Sequence, residues 1–162
     1  GWHRDDGRPV CRTIETIMSH FQPLGVKGID HITIVAQDLD KSVEFYVGLL
    51  GMKHIGRPDF GFPGHWFQAG STQIHLNQQG VEAGLAGMPI STATEIARAF
   101  HYAFVVDDCD ATAKQLRQQG VQIVEGPRTR PDGARQLYLR DPDQHLVELF
   151  SVPQQQESGH ES

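Results

Sequence analysis

From Gly28 to Val152 the chain carries one pattern twice, and a repeat of roughly 50 residues constrains its architecture more than any other feature. The first copy opens with GIDHITIVA at 28–36, which reads as a strand. Asp38 or Asp40 then caps a helix whose buried stripe is Val43, Tyr46, Val47 and Leu50, and Gly51 ends it. Three short extended segments follow, at 53–57, 65–69 and 72–77, separated by glycines and prolines. The second copy opens with FHYAFVV at Phe100. Asp108 or Asp110 caps its helix, which runs through Leu116 to a stop at Gly120, and three segments lie at 121–125, 135–140 and 146–150. His31 to Gly51 spans 20 positions and His101 to Gly120 spans 19. The copies therefore cover about 28–77 and 99–152, joined by a Gly-, Gln-, Ser- and Thr-containing connection at 78–97.

The chemistry gathers in the last hairpin. Residues 137–150, LYLRDPDQHLVELF, set two apolar runs around Asp141-Pro142-Asp143, whose proline and aspartates favour a turn. Glu148 lies inside the second run, beside Leu146, Val147, Leu149 and Phe150. A carboxylate there is costly to bury unless a proton, a cation or a metal compensates it. Three histidines, His31, His75 and His101, sit in similar apolar runs. His31 to His75 spans 44 positions and His101 to Glu148 spans 47. Period-two alternation puts His31 on a face with Thr33, His75 with Gln73 and Asn77, and Glu148 with Leu146 and Phe150, leaving Ile74 and Leu76 toward the helices. Residues at matching heights on neighbouring strands can reach one ion, so the four are expected to face one cavity and hold a divalent metal. Zn, Ni, Co, Mn and Fe all suit imidazole and carboxylate donors. A lone strand histidine is more often a hydrogen-bonded structural residue; the shared register is what carries the metal reading.

Other residues are weighed against the same cavity. Tyr138 lies on the strand paired with that of Glu148 and is expected to face it, or else to be a core aromatic. Trp66 and Phe67 are candidate pocket walls, with ordinary core as the alternative. Arg135, and less so Arg130, are candidates to bind a substrate carboxylate. His54, His65 and His145 fall outside the repeat positions and are expected in solvent or at a pocket rim.

At 162 residues the chain is long enough for one domain with a sizeable core. A net charge of −6 does not favour an extended nucleic-acid surface, and no run approaches a membrane span, so neither partner is expected. Residues 1–27 read as an N-terminal arm, disordered or loosely attached over 1–10, with a short amphipathic helix carrying Ile14, Ile17, Met18 and Phe21; residues 153–162 read as a flexible tail. Residues 1–10 lack the apolar core of a secretory signal, and a cytoplasmic location is the expectation. Cys11 and Cys109 have no CxxC spacing and read as free thiols.

The βαβββ repeat, DHITIVAQDLDKSVEFYVGLLGM and RQLYLRDPDQHLVELF together resemble the vicinal oxygen chelate superfamily, which includes glyoxalase I, extradiol dioxygenases, methylmalonyl-CoA epimerase and the fosfomycin and bleomycin resistance proteins. The resemblance implies an α+β fold in which two βαβββ modules form a half-open curved-sheet barrel around a metal site. By family position it implies His31, His101 and Glu148 as ligands. His75 stands where glyoxalase I carries a glutamate, as a fourth ligand or as an acid/base. Gln144 replaces a glycine that members often carry after the DPD turn.

The function implied is a glyoxalase-like lyase or isomerase acting on a small oxygenated substrate through a metal-stabilised enediolate, with Glu148 moving the proton and His75 assisting. An Fe(II) extradiol-type ring-cleaving dioxygenase is the alternative, although residues 128–136 contain no histidine where that family's pattern expects one. A metal-free drug-sequestering protein of the bleomycin-resistance kind is a second alternative. Thiol transferases of the fosfomycin kind keep two His and a Glu but build the site from two paired chains, and a homodimer is consistent with the resemblance.

Overall fold

Apolar residues alternate along eight short segments between glycines and turn residues, and a pattern of that period must bury one face of each strand. The computed structural model describes residues 2–5, 8–11, 24–80, 83–87 and 99–153. An N-terminal hairpin pairs β1 (Trp2–Asp5) with β2 (Arg8–Cys11). The first module contains β3 (His31–Ala36), α1 (Leu39–Val43), β4 (Lys53–Ile55), β5 (Gly64–Ala69) and β6 (Thr72–Gln78). The second contains β7 (Tyr102–Val105), α2 (Cys109–Gln118), β8 (Glu125–Thr129), β9 (Arg135–Arg140) and β10 (Leu146–Ser151). Each module forms a four-stranded mixed sheet, ordered β3-β6-β5-β4 and β7-β10-β9-β8. In both, the first and last strands pair in parallel and the other pairs are antiparallel. The repeat read from the sequence is thus a repeat of topology, and the α+β two-module fold stands.

One hydrophobic cluster spans both modules. Ile34, Ala36, Phe67, Ile74 and Leu76 pack with Phe45, Tyr46 and Met52 in the first; Leu137, Leu139, Val147 and Leu149 pack with Cys109, Ala113 and Leu116 in the second. Each fully buried Leu, Ile or Phe contributes about 1.5–3 kcal/mol. Of the candidate caps, Asp38 accepts from the Lys41 N–H at 3.1 Å and Asp108 from the Ala111 N–H at 2.9 Å. The expected 3.6-residue stripe gives way after Val43, where Glu44–Leu49 continue as a π-helix. Its wider turn, with the Leu50 N–H bonded to the Phe45 carbonyl at 2.9 Å, brings adjacent Phe45 and Tyr46 both into the core.

A buried polar network links the modules. The Tyr46 hydroxyl donates to Asp141 Oδ2 at 2.7 Å and is hydrogen-bonded to the Tyr102 hydroxyl. Asp141 Oδ1 accepts from the Asp143 and His145 N–H groups at 2.9 and 2.8 Å, and Oδ2 lies 2.8 Å from His145 Nδ1. Burial and the Asp141 charge push both tyrosine pKa values far above the ordinary phenol range. The Gln37 N–H adds a cross-module bond to Asp143 Oδ1 at 3.0 Å.

Several expectations are corrected. Residues 2–5 and 8–11, in a stretch expected to be disordered or a loosely attached arm, form the paired strands β1 and β2; the amphipathic helix expected around 14–21 and the tail from 154 lie outside the described residues. The strand expected at 121–125 begins only at Glu125. Its register shifts between Glu125 and Arg128, where a Cβ on Gly126 would sit 2.9 Å from Leu137 Cα, so the bulge needs glycine; Val121 and Ile123 pack against the core from irregular backbone. His145 is buried in the DPD turn rather than at a rim, because Asp141 holds its ring and its backbone. Gln144 takes φ 72°, the left-handed conformation that glycine adopts without strain, so the turn survives the replacement.

Candidate functional site

In the first module the sheet register brings two of the predicted ligands side by side. β3 and β6 run parallel with Thr33 opposite His75 and His31 opposite Gln73, and Trp66 on β5 lies opposite His75. The His31 and His75 rings stack with centroids 3.9 Å apart and 11° between planes; Trp66 stacks on the other side of His75 at 4.0 Å and 6°. His31 Nδ1 lies 2.8 Å from Asp30 Oδ2, and His75 Nε2 lies 2.8 Å from Gln73 Oε1. Burial, then the neighbouring His31, lower the His75 pKa, so its neutral form prevails at pH 7. In-plane lone pairs on near-parallel stacked rings do not converge, so one ring would turn for both to ligate a single ion.

The second module assembles a tighter pair. β10 places Glu148 opposite Ala103 of β7 and Tyr138 of β9. His101, just before β7, has Nε2 3.0 Å from Glu148 Oε2. Its Nδ1 lies 2.8 Å from the Ala99 carbonyl, an acceptor only, so Nδ1 carries the proton. In the neutral ring Nε2 then turns a lone pair to the carboxylate, and the contact requires a proton or a cation. The other oxygen, Glu148 Oε1, accepts from the Gln136 amide nitrogen at 2.9 Å, while the amide oxygen accepts from Arg128 Nε at 3.0 Å. Arg130 Nη1 lies 3.6 Å from Oε1. Tyr138 packs edge-on to His101 at 5.4 Å, and burial, then the Glu148 charge, raise its pKa.

Among the described residues, no group of three or more His, Cys, Asp or Glu side chains lies close enough to hold a metal. His31 meets His75 and His101 meets Glu148, but the two pairs do not meet in one cluster, contrary to the expectation of one shared cavity. A cavity of about 730 Å³ is lined by residues of both modules, among them Met52, Ile74, Tyr102 and Leu116, and by none of the four. Phe67 is corrected from pocket wall to core: alternation along β5 sends Trp66 to the histidine face and Phe67, fully buried, against Tyr46. Arg135 is likewise engaged elsewhere, its Nε and Nη2 bonded to Asp110 at 2.8 and 2.5 Å, which holds the Asp110 carboxyl below its ordinary pKa. Arg130, ranked lower from sequence, is the arginine that reaches Glu148. Gln136, and Arg57 with Phe60 and Phe62, were not anticipated; alternation from Glu148 through Tyr138 would have pointed to Gln136.

The family model for the Glyoxalase/Bleomycin resistance protein/Dioxygenase superfamily matches residues 28–149, from just before β3 into β10. The chain belongs to this superfamily. Within it, the chain is 35% identical over 133 residues to the glyoxalase domain-containing protein RDO1 of Mycosarcoma maydis, covering 79% of this chain and 70% of that protein. It is 29% identical over 133 residues to the metallothiol transferase FosB of Shouchella clausii, covering 78% and 81%. The crystal structure of a glyoxalase/dioxygenase from Nostoc punctiforme superposes with a TM-score of 0.66 at 24% identity, covering 83% of this chain and 97% of that one, a likeness of fold. Members of the superfamily are typically metal-dependent enzymes acting on small molecules.

Proposed function

We propose that this protein is a divalent-metal-dependent enzyme of the vicinal oxygen chelate type, a glyoxalase-like lyase or isomerase acting on a small oxygenated substrate. His101 and Glu148 would hold the metal from the second module, and His31 and His75 from the first. The observation that carries the reading is the His101–Glu148 contact: two groups with their lone pairs facing at 3.0 Å, inside an otherwise satisfied network, fit a cation. A bound divalent ion would chelate two neighbouring substrate oxygens and acidify the adjacent C–H. Gln136 and Arg130 hold Glu148 by Oε1, so Oε2, which faces His101, would be both the ligating oxygen and, on detaching, the one that takes and returns the proton. Neutral His75 donates from Nε2 to Gln73 Oε1, which leaves Nδ1 as the nitrogen suited to accept a proton. The Trp66 ring stacks on His75 and the Tyr138 ring packs edge-on to His101, giving each pair an aromatic neighbour.

The separation of the two ligand pairs favours a second reading, in which the first module of one copy completes the site with the second module of another. The similarity to a metallothiol transferase supports thiol transfer as the chemistry of such a site. The test is metal content per chain after purification without chelators, for the parent and the His101→Ala and Glu148→Ala variants, followed by mixing His31→Ala with Glu148→Ala protein. Stoichiometric metal lost in both single variants supports the enzyme reading; metal regained on mixing places the site between copies. Absence of metal under every growth condition would sink both readings. Oxygen consumption on a catechol would replace them with the ring-cleaving alternative.

A further inference from the structure

We infer that Arg57 anchors an anion subsite beside the histidine face, shaped for the carboxylate or phosphonate of a small substrate; this deepens the enzyme reading above and rests on it. Arg57 lies in the segment between β4 and β5. Its guanidinium carbon sits 4.8 Å from the Phe60 ring centroid and 4.7 Å from that of Phe62, so aromatic faces hold it. Nε and Nη2 are shut off from solvent and have no hydrogen-bond partner among the described residues. Among the described residues Nη1 reaches only the Pro58 carbonyl, at 3.4 Å. A guanidinium offers five donors, and its Nε–Nη2 edge is a fork matched to the two oxygens of an oxyanion. Leaving that edge buried and unpaired disfavours the free protein, and an anion admitted by a shift of the neighbouring Phe60 and Phe62 rings would relieve the cost.

The surroundings give the anion a place. A pocket of about 150 Å³ adjoins Arg57, walled by Thr33, Phe60, Phe62, Trp66, His75 and Asn77. That is about the volume of five waters, enough for an oxyanion with a few carbons. None of these walls is acidic, while Thr33 and Asn77 supply further polar contacts. His75 belongs to the same wall, so an oxyanion at Arg57 directs the remainder of its molecule toward the His31–His75 stack. Gly64 makes the arrangement possible: a Cβ there would run into the Leu76 carbonyl and lie 3.2 Å from Arg57 Nε, so the arginine rests against bare backbone.

The experiment uses metal-loaded, full-length protein carrying Trp2→Phe, which leaves Trp66 as the chain's single tryptophan. Its fluorescence is titrated at constant ionic strength with propanoate, methylphosphonate and uncharged propanamide. The expected result is saturable binding of one or both anions and none of the amide, weakened at least about tenfold by Arg57→Ala and also by Arg57→Lys, which keeps the charge but loses the fork. Saturation by propanoate alone assigns a carboxylate, and by methylphosphonate alone a phosphonate. Equal affinity in parent and variants, or no saturable change with either anion, overturns the subsite. Should Arg57→Ala lose its far-UV circular dichroism, Arg57→Lys decides. Metal content is read in parallel and is expected to stay at the parent level in both variants. A parent that binds anion through Arg57 but never binds metal sinks the enzyme reading and keeps the subsite.

Discussion

The two modules share strand order, pairing and the placement of their leading histidine, yet they present different faces. In the first, His31 is 43% exposed and stacks on His75, with Trp66 closing the stack. In the second, Glu148 is 6% exposed and both oxygens are engaged, by His101 on one side and by Gln136 and Arg130 on the other. The difference comes from what each last strand carries inward. A carboxylate cannot be buried without a surrounding set of donors, so the second module is organised around one; neutral rings need no such shell, so the first remains open. A site drawing on both would have one rigid half and one adjustable half.

That contrast can be broken or sharpened by measurement. The largest effect is expected from Glu148→Ala, which should reduce metal affinity by at least about a hundredfold, whereas His31→Ala, on the open face, should cost less. Isothermal titration of both variants decides, and equal losses would erase the distinction between rigid and adjustable halves. Asp141→Ala should destabilise the fold by about 3–5 kcal/mol, since it removes the carboxylate shared by the Tyr46 hydroxyl, the His145 ring and the Asp143 and His145 N–H groups, and Tyr46→Phe by about 1–2 kcal/mol. Urea unfolding measures both. Arg130→Ala should weaken metal binding about tenfold through the freed Glu148 oxygen, while Arg135→Ala leaves it unchanged because Arg135 serves Asp110. Gln144→Gly should stabilise by about 1 kcal/mol by removing a side chain from a left-handed position, read as a shift in the urea midpoint.

The smallest effect separates the histidines by pH. The His75 pKa is lowered in the folded state, so below the ordinary histidine value the unfolded chain binds more protons than the native one. Its contribution to stability is therefore present above that value, falls as pH drops through it, and levels off below the folded value. His75→Gln should flatten this part of the stability profile, followed by denaturant unfolding between about pH 7.5 and 5. An unchanged profile would mean the stack does not perturb His75.

Much of this was legible in the chain. Spacing between His31, Gly51, His101 and Gly120 disclosed the repeated topology, because helix stops and strand starts are local. Alternation correctly turned Ile74 and Leu76 to the helices and His75 away from them. It would also have moved Phe67 into the core, since Trp66 and Phe67 are adjacent on one strand and cannot share a face. What escaped was non-local. The partner of Arg135 lies 25 residues away on a helix, and the ring that buries beside Asp141 comes from its own turn. The π-helix at Glu44–Leu49 likewise depends on packing two adjacent aromatics, which helical periodicity does not anticipate. Arg57 stood in a loop of glycines and prolines, where sequence offers no period to read.

The Tyr46–Asp141 bond also makes the duplication directional. Two like modules could otherwise associate head to head, first with first and second with second. The helix of the first module offers Tyr46 to Asp141, where the second helix carries Leu116 near the corresponding place. Only the second offers the acceptor, for the matching turn of the first module is the short Gly70-Ser71 pair. The first half alone would leave the Tyr46 hydroxyl without its carboxylate acceptor, whereas the second keeps Asp141 bonded within its own turn, so neither half can stand in for the other.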